Sequence, residues 1–316
     1  MDEQKELMTI VVPVKNRPRL VLRALNSIKA QTWRPLRVVV VDNDSTDETP
    51  EVLRSWKEEA ETDDFIVDIV VEKEPGPSAA RARGVEEVDS RLMMHFDSDD
   101  AMAPTHVETI MKRFARPDMP DLVFFRFRRY AIDDTPSITH GTGNGGVMVS
   151  HLVHCNLSTQ GYACETALIR RAGSWNRTLK CWEDYELGVR LLLESRRRAF
   201  LKDINVEVYC RKNSVTGTDF SSKEGEWEKA LDSIEAVLER NKRPRQKQWL
   251  RYVAYRRAIL AAHYRGEGNI TAAKKLLQKA LDYENLNALQ RLFLKTAYRY
   301  TAAGGRGAAI GASLFL

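Results

Sequence analysis

A chain of 316 residues, 43% hydrophobic and 29% charged, is long enough for one large or two ordinary domains, and its composition excludes a disordered chain. It has no apolar run of about 18 residues, so no transmembrane helix is expected, and its acidic opening Met1–Glu6 is unlike a signal peptide. Its four cysteines form no Cys-x-x-Cys pair, which argues against a disulfide scaffold or structural zinc and fits a reducing cytoplasm. The net charge of +5 is unevenly spread: residues 226–316 carry 17 Lys+Arg against 8 Asp+Glu, and residues 1–225 carry 32 against 36. Such a basic tail implies an anionic partner.

The first third alternates regularly. Short β-rich runs stand at Ile10–Val14, Arg37–Val41, Ile66–Val71 and Leu92–Phe96. Helix-like stretches, Arg19–Ala30, Asp47–Ala60 and Ser78–Val88, lie between them. Leu20, Ala24, Leu25 and Ile28 recur at helical spacing. The pattern predicts repeated βαβ units and an α/β fold with a mostly parallel sheet flanked by helices. Val38–Val41 and Leu122–Phe125 are continuously apolar, as strands buried on both faces should be.

Residues 128–160 are rich in Gly, Thr, Asn and Asp and read as a loop or hairpin. The run Gly141–Gly146 is followed by no Gly-Lys-Ser/Thr, so a phosphate cradle is disfavoured. From about Glu224 the pattern turns helical, with segments 226–241, 246–264, 270–283 and 286–302. Ala272, Leu276, Leu277, Ala280 and Leu281 share one face, and the last two segments suggest an αα-hairpin. One partial unit is too little for a helical repeat array. The expected division is 1–223, with halves of about 1–127 and 128–223, followed by a basic helical region 224–316.

Chemistry gathers at strand ends. Val38–Val41 runs into Asp42-Asn43-Asp44-Ser45-Thr46-Asp47, and Leu92–Phe96 runs into Asp97-Ser98-Asp99-Asp100. In open α/β sheets ligands bind beyond the carboxyl ends of the strands. Carboxylates crowded there repel one another unless a cation joins them. Their hard oxygens suit Mg²⁺ or Mn²⁺ with water and substrate phosphate in the shell. Helix capping by Ser45, Thr46 or Asp100 explains either cluster alone. Two clusters in one sheet favour a nucleotide–metal site.

At this point the sequence resembles the family-2 glycosyltransferases, which have the GT-A fold. The resemblance rests on Thr9–Arg17, Ala24–Thr32, Val41–Asp47, Pro75–Arg81, Phe96–Asp100 and Trp182–Leu187 followed by Arg190. It covers roughly residues 8–217. No one of these runs is specific, but their order and spacing together are.

The resemblance implies a nucleotide-sugar donor and a divalent metal. By it, Asp42 meets the base or ribose, Pro13, Asn16 and Arg17 lie beside the base, and Arg81 is near the nucleotide. Asp97 and Asp99 resemble the family's Asp-x-Asp pair, with Asp97 toward the ribose, Asp99 on the metal and Asp100 in support. Bound metal acts as a Lewis acid for the departing diphosphate. Asp184 is implied as the catalytic base, with Glu183 as the alternative, although acids opening a helix are also ordinary dipole partners. Two departures stand out. Ala82-Arg83-Gly84 lacks the asparagine often found two residues after the arginine, and Arg211 stands where a histidine is common. Arginine does not ligate a metal but can grip a diphosphate in two places.

His151, His154 and Cys155 lack a second pair at zinc-ligand spacing. Trp175, Trp182 and Tyr162 suit either sugar stacking or core packing. The expected activity is inverting transfer from a UDP-sugar to a hydroxyl of a glycan or lipid-linked acceptor, in bacterial surface-polysaccharide assembly. The alternative is a non-catalytic nucleotide-sugar binder of the same fold; a nucleotidyltransferase is disfavoured because no glycine-rich loop follows the first strand. The basic helices suggest peripheral attachment to the anionic cytoplasmic membrane face, against a solvated helical lid as the other reading. They match no nucleic-acid recognition module, so no nucleic-acid partner is expected.

Overall fold

Apolar runs such as Val38–Val41, all four residues fully buried, become central strands because both faces of the sheet are covered. The computed structural model describes residues 5–139, 146–210 and 219–316. Its strands are β1 Met8–Val14, β2 Leu36–Asp42, β3 Phe65–Val71, β4 Leu92–His95, β5 Ala101–Met102, β6 Leu122–Tyr130, β7 Pro136–Ile138, β8 Tyr162–Glu165 and β9 Arg198–Tyr209. Its helices are α1 Pro18–Lys29, α2 Thr49–Ala60, α3 Pro77–Glu87, α4 His106–Phe114, α5 Gly146–His154, α6 Thr166–Arg171, α7 Glu183–Glu194, α8 Glu226–Arg240, α9 Gln246–Gly266, α10 Ile270–Leu281, α11 Ala288–Ala302 and α12 Ala308–Phe315.

The chain divides into two units that interleave in sequence. The first comprises Met1–Gly141, Asn156–Lys180 and Arg190–Arg211. Its described strands form one mixed sheet in the order β3-β2-β1-β4-β8-β6-β9-β5, with β7 paired to β6. β1 is parallel to β2 and β4, and β2 is parallel to β3. Hence the C-terminal ends of β1, β2 and β4 share one edge. β8 runs antiparallel to both β4 and β6, so the sheet is mixed beyond β4.

Local sequence explains the entry to each crossover helix. α1, α2 and α3 carry Pro18, Pro50 and Pro77 in the first turn, where a missing N–H costs nothing. Val21, Ala24, Leu25 and Ile28 of α1 are buried in one core with Ile10, Val12, Val38 and Val40. α3 packs closely on the sheet through Gly84. A Cβ there would collide with the Val11 side chain and stand 3.2 Å from Val41 Cγ2.

Within residues 128–160 the expected loop or hairpin holds only in part. β6 and β7 do form a hairpin, but β6 reaches Tyr130 and residues 146–154 are helical. The sequence hides α5 because Met148, Val149, Leu152 and Val153 are buried on several faces, which erases the amphipathic period. Most of the Gly141–Gly146 run lies outside the described residues.

The second unit comprises Thr142–Cys155, Cys181–Val189 and Lys212–Leu316. α9 packs against α8, α10 and α11 and carries buried residues along its length, including Val253, Ala254, Ala258 and Ala261. Burial on most of its faces, Arg257 included, makes α9 the central helix of this unit. Its Arg257 is fully buried yet paired to Asp232 and Glu235, each at 2.6 Å. Asn269 and Asn287 cap α10 and α11, each side chain accepting an N–H of the first turn. Among the described residues no helix is long and apolar enough to cross a membrane.

Candidate active site

The loops after β1 and β2 are locked to each other. Asn16 (φ 49°) and Asp44 (φ 56°) adopt left-handed backbone, which Asn and Asp tolerate better than most residues. Asn16 N–H donates to Ser45 Oγ at 2.9 Å, and Thr46 N–H donates to Asn16 Oδ1 at 2.8 Å. Asp42, at the end of β2, is buried and accepts the Ser45 N–H at 3.1 Å. Asn43 carries the frame further: its amide donates to the Glu72 and Glu74 carbonyls and accepts the Gly76 N–H. Thus Asn43 holds the loop that opens α3 against β2. Pro13 lies beyond the Val11–His95 pair that ends the β1–β4 ladder, a place that tolerates a residue without an N–H.

The carboxylates after β4 are gathered with cations. Asp99 pairs with Arg17 at 2.9 Å, and Asp97 pairs with Arg81 at 2.7 Å. Gln160, on a short turn before β8, donates its amide to both Asp97 and Asp100. Tyr209 N–H at the end of β9 donates to Asp100 at 3.1 Å. Burial pushes the Asp100 carboxyl well above its usual range, and the charges of Asp97 and Asp99 push the same way. The Arg81 guanidinium lies 4.7 Å from the Trp175 ring centre. Trp175 Nε1–H donates to His95 Nε2 at 3.0 Å, which leaves the His95 proton on Nδ1. Burial, followed by the Arg81 charge, lowers His95 to about 3, so this imidazole is neutral.

The donor chemistry fits a hard dication. Asp97 and Asp99 offer oxygen ligands, and Asp100, raised first by burial and then by its two acidic neighbours, stands beside them. Among the described residues no three His, Cys, Asp or Glu side chains converge as a complete metal cage. Mg²⁺ and Mn²⁺ are commonly held by one or two carboxylates, with water and substrate phosphate completing the shell.

The acid pair belongs to the second unit. Glu183 is buried and Asp184 half-buried in the first turn of α7, after Trp182 in left-handed backbone (φ 53°). This helix start is fixed from three sides. His151 Nε2–H of α5 donates to the Tyr185 carbonyl at 2.9 Å, and Tyr185 OH donates to the Leu152 carbonyl at 2.8 Å. Ser233 of α8 donates to Glu186 at 2.9 Å. Arg256 of α9 lies over both Trp182 and Tyr185, at 4.8 and 5.1 Å from the ring centres. Desolvation lowers His151 to about 4 and keeps it neutral.

The structure therefore brings Pro13, Asn16, Arg17, Asp42, Arg81, Asp97, Asp99 and Asp100 to one sheet edge. Glu183 and Asp184 open α7, and Arg211 lies outside the described residues. Trp175 and Tyr162 are buried, whereas Trp182 is half-buried against Tyr185, Phe220 and Trp227. Gln160, His95 and Arg256 were missed in the sequence, where no local pattern marks them.

Comparison with known proteins agrees with this architecture. The family model described as "Glycosyl transferase family 2" matches residues 9–177. WfaP of Escherichia coli, named a UDP-Glc:alpha-D-GlcNAc-diphosphoundecaprenol beta-1,3-glucosyltransferase, is 25% identical over 59% of this chain and 70% of its own. The chain spans only 15%, 31% and 52% of three other curated bacterial glycosyltransferases that it matches. Staphylococcus aureus TarS 1–349, solved with UDP-GlcNAc, superposes with a TM-score of 0.66 at 15% identity, covering 96% of this chain and 88% of TarS. The mannosyltransferase PcManGT of Pyrobaculum calidifontis, solved with GDP-Man and Mn²⁺, gives a TM-score of 0.60 at 19% identity, covering 99% and 87%. These superpositions show the GT-A fold. With the family model matched over more than half of its length, the chain belongs to glycosyl transferase family 2.

Proposed function

We propose that the protein transfers a sugar, with inversion, from a nucleoside-diphosphate sugar to a hydroxyl of a lipid-linked glycan acceptor. The carrying observation is the edge where Asp42, Asp97 and Asp99 stand with Arg17 and Arg81. Two cations among carboxylates suit a ligand that is both a polyol and an anion. In this reading Asp42 and Asp97 accept hydrogen bonds from base and ribose, with Pro13 and Asn16 beside the base. Arg17, Arg81 and Arg211 hold the diphosphate. Asp99, supported by Asp97 and Asp100, holds Mg²⁺ or Mn²⁺, which supplies Lewis-acid stabilisation of the leaving diphosphate. The Mn²⁺ and GDP-Man recorded with PcManGT support that assignment.

Asp184 removes the proton from the acceptor hydroxyl, and Glu183 is the substitute if the register is one residue off. UDP-sugar is the proposed donor, supported by UDP-GlcNAc in the TarS structure and UDP-Glc in the WfaP name. The diphosphoundecaprenol in that name supports a lipid-linked acceptor and surface-polysaccharide assembly. The basic helical region then attaches the protein to the anionic cytoplasmic membrane face. Ile310 and Leu314 of α12, 74% and 76% exposed, supply apolar contacts for shallow insertion.

A panel of nucleotide sugars, assayed for binding and for release of the nucleoside diphosphate with and without polyprenyl-diphosphate glycans, tests the reading. A UDP-sugar should be consumed, and faster with acceptor. Binding without turnover of any donor would favour a non-catalytic sugar-nucleotide binder, and no binding at all would remove both readings.

A further inference from the structure

A cleft of about 770 Å³ opens within the second unit, lined by α9, α10 and α11 and the start of the segment after α11. Four of its lining side chains are cationic: Arg265, Lys274, Lys295 and Arg299. No acidic residue lines it. Among the described residues none of the four has an ion-pair partner, whereas Arg257 and Lys279 of the same helices pair with Asp232. Helix ends account for part of this: Arg265 and Arg299 lie in last turns, where a cation favours the dipole. Lys274 and Lys295 lie in no last turn. All four side chains are exposed, so solvent screens much of their repulsion, yet four like charges facing one hollow set up a positive field that favours an anion there.

The rest of the lining narrows the ligand. Tyr298, Leu277, Ala302 and Ala303 give an aromatic and aliphatic surface beside the cations. The Arg265 guanidinium lies 6.0 Å from the Tyr298 ring centre. The volume is within the range of small-molecule sites, roughly 300–1,000 Å³. We infer that this cleft binds the phosphate groups of an organic phosphate, with its carbon portion against Tyr298 and Leu277. Arginine forks and lysine point charges are the usual partners of phosphate oxygens. The inference stands apart from the chemistry at the carboxylate edge, because none of the residues given a part in donor binding or catalysis lines the cleft; it shares the basic helical region with the proposed membrane attachment, and comparison of the cleft variant with the control separates the two.

The test uses inorganic pyrophosphate as the soluble probe and vesicles of phosphatidylglycerol with phosphatidylcholine as the lipid-borne one. Hydrogen exchange localises the response to residues 262–281 and 291–303, which separates it from diphosphate binding at the carboxylate edge. The cleft variant is Lys274→Gln with Lys295→Gln. The control, Lys247→Gln with Lys275→Gln, removes the same charge from exposed positions that do not line the cleft. Pyrophosphate should protect these segments in the unaltered protein. The cleft variant should weaken that binding about tenfold or more, the control by less than about twofold, and Lys274→Arg with Lys295→Arg should retain it. If the cleft variant also loses vesicle binding, the phosphate is a lipid headgroup; if vesicle binding is unchanged, it is a soluble phosphate. Absence of protection together with equal vesicle binding by cleft and control variants overturns the inference.

Discussion

Asp97 and Asp99 are two residues apart yet hold different partners, Arg81 for the first and Arg17 for the second. The asymmetry has a structural cause: Arg81 comes from the buried face of α3, whereas Arg17 comes from the half-buried loop after β1. Asp99→Asn keeps the size of the side chain but removes its charge, and a neutral amide is a poor ligand for Mg²⁺ or Mn²⁺. It should abolish most transfer with an unchanged circular-dichroism spectrum; full activity, or full activity of the unaltered protein in excess chelator, would rule out the metal role. Asp184→Asn bears on the other half of the chemistry. Loss of a general base typically costs ~10²–10⁴ in rate, so turnover should fall about 10²-fold or more while donor affinity stays within about twofold. Weakened donor binding with turnover preserved at saturation would move Asp184 out of the base role.

At the level of elements, α3 is the helix whose packing is most tightly specified. Gly84 lets it approach β1 and β2 so closely that any side chain meets Val11. Gly84→Ala improves helix propensity by ~1 kcal/mol but forces β1 and α3 apart, at a typical overpacking cost of ~1–3 kcal/mol. The balance should be a net loss of stability, read as a lower denaturant midpoint. A midpoint equal to or above that of the unaltered protein would contradict the close approach. α5 has the opposite character, since its fixed feature is a role rather than a pattern. Its His151 and Leu152 clamp the start of α7, so a segment resembling a loop in sequence holds the acid pair's backbone.

Across the whole molecule, buried neutral histidines set the response to acid. Burial lowers His95 and His106 to about 3 and His151 to about 4, from an ordinary value of 6.5. His106 packs edge-on against Phe125, and its Nε2 has no hydrogen-bond partner among the described residues. Below pH 6.5 the unfolded chain binds protons that the folded protein refuses, so each of these groups lowers stability as pH falls. The slope approaches ~1.4 kcal/mol per pH unit for each histidine until its folded value is reached. Asp100 acts in the opposite direction, because its raised carboxyl takes up a proton before its unfolded counterpart does. Three fully buried histidines, with His263 lowered by burial in the same sense, outweigh Asp100 and predict stability that falls between about pH 6.5 and pH 4 in chemical-denaturation series. A flat or rising profile over that window would contradict the buried neutral state.

The parallel half of the sheet and four helices of the second unit were legible in the sequence because their signals are local. Val38–Val41 declares a buried strand within a few residues, and α8 to α11 show a 3.6-residue period bounded by Pro244, Gly268 and Asn285. Strand ends also determined where Asp42 and Asp97–Asp100 would stand, since parallel strands carry their C-terminal loops to one edge. α12 was not legible as a helix, being short and interrupted by Gly311. Tertiary structure alone decided what surrounds the carboxylates. Gln160 reaches Asp97 across 63 positions and Trp175 reaches His95 across 80. Arg256 meets Trp182 and Tyr185 only because α9 packs beside the start of α7 within the second unit. Such contacts depend on strand register and helix packing, which local periodicity does not encode, so side chains that neutralise and position a site are read only from the folded chain.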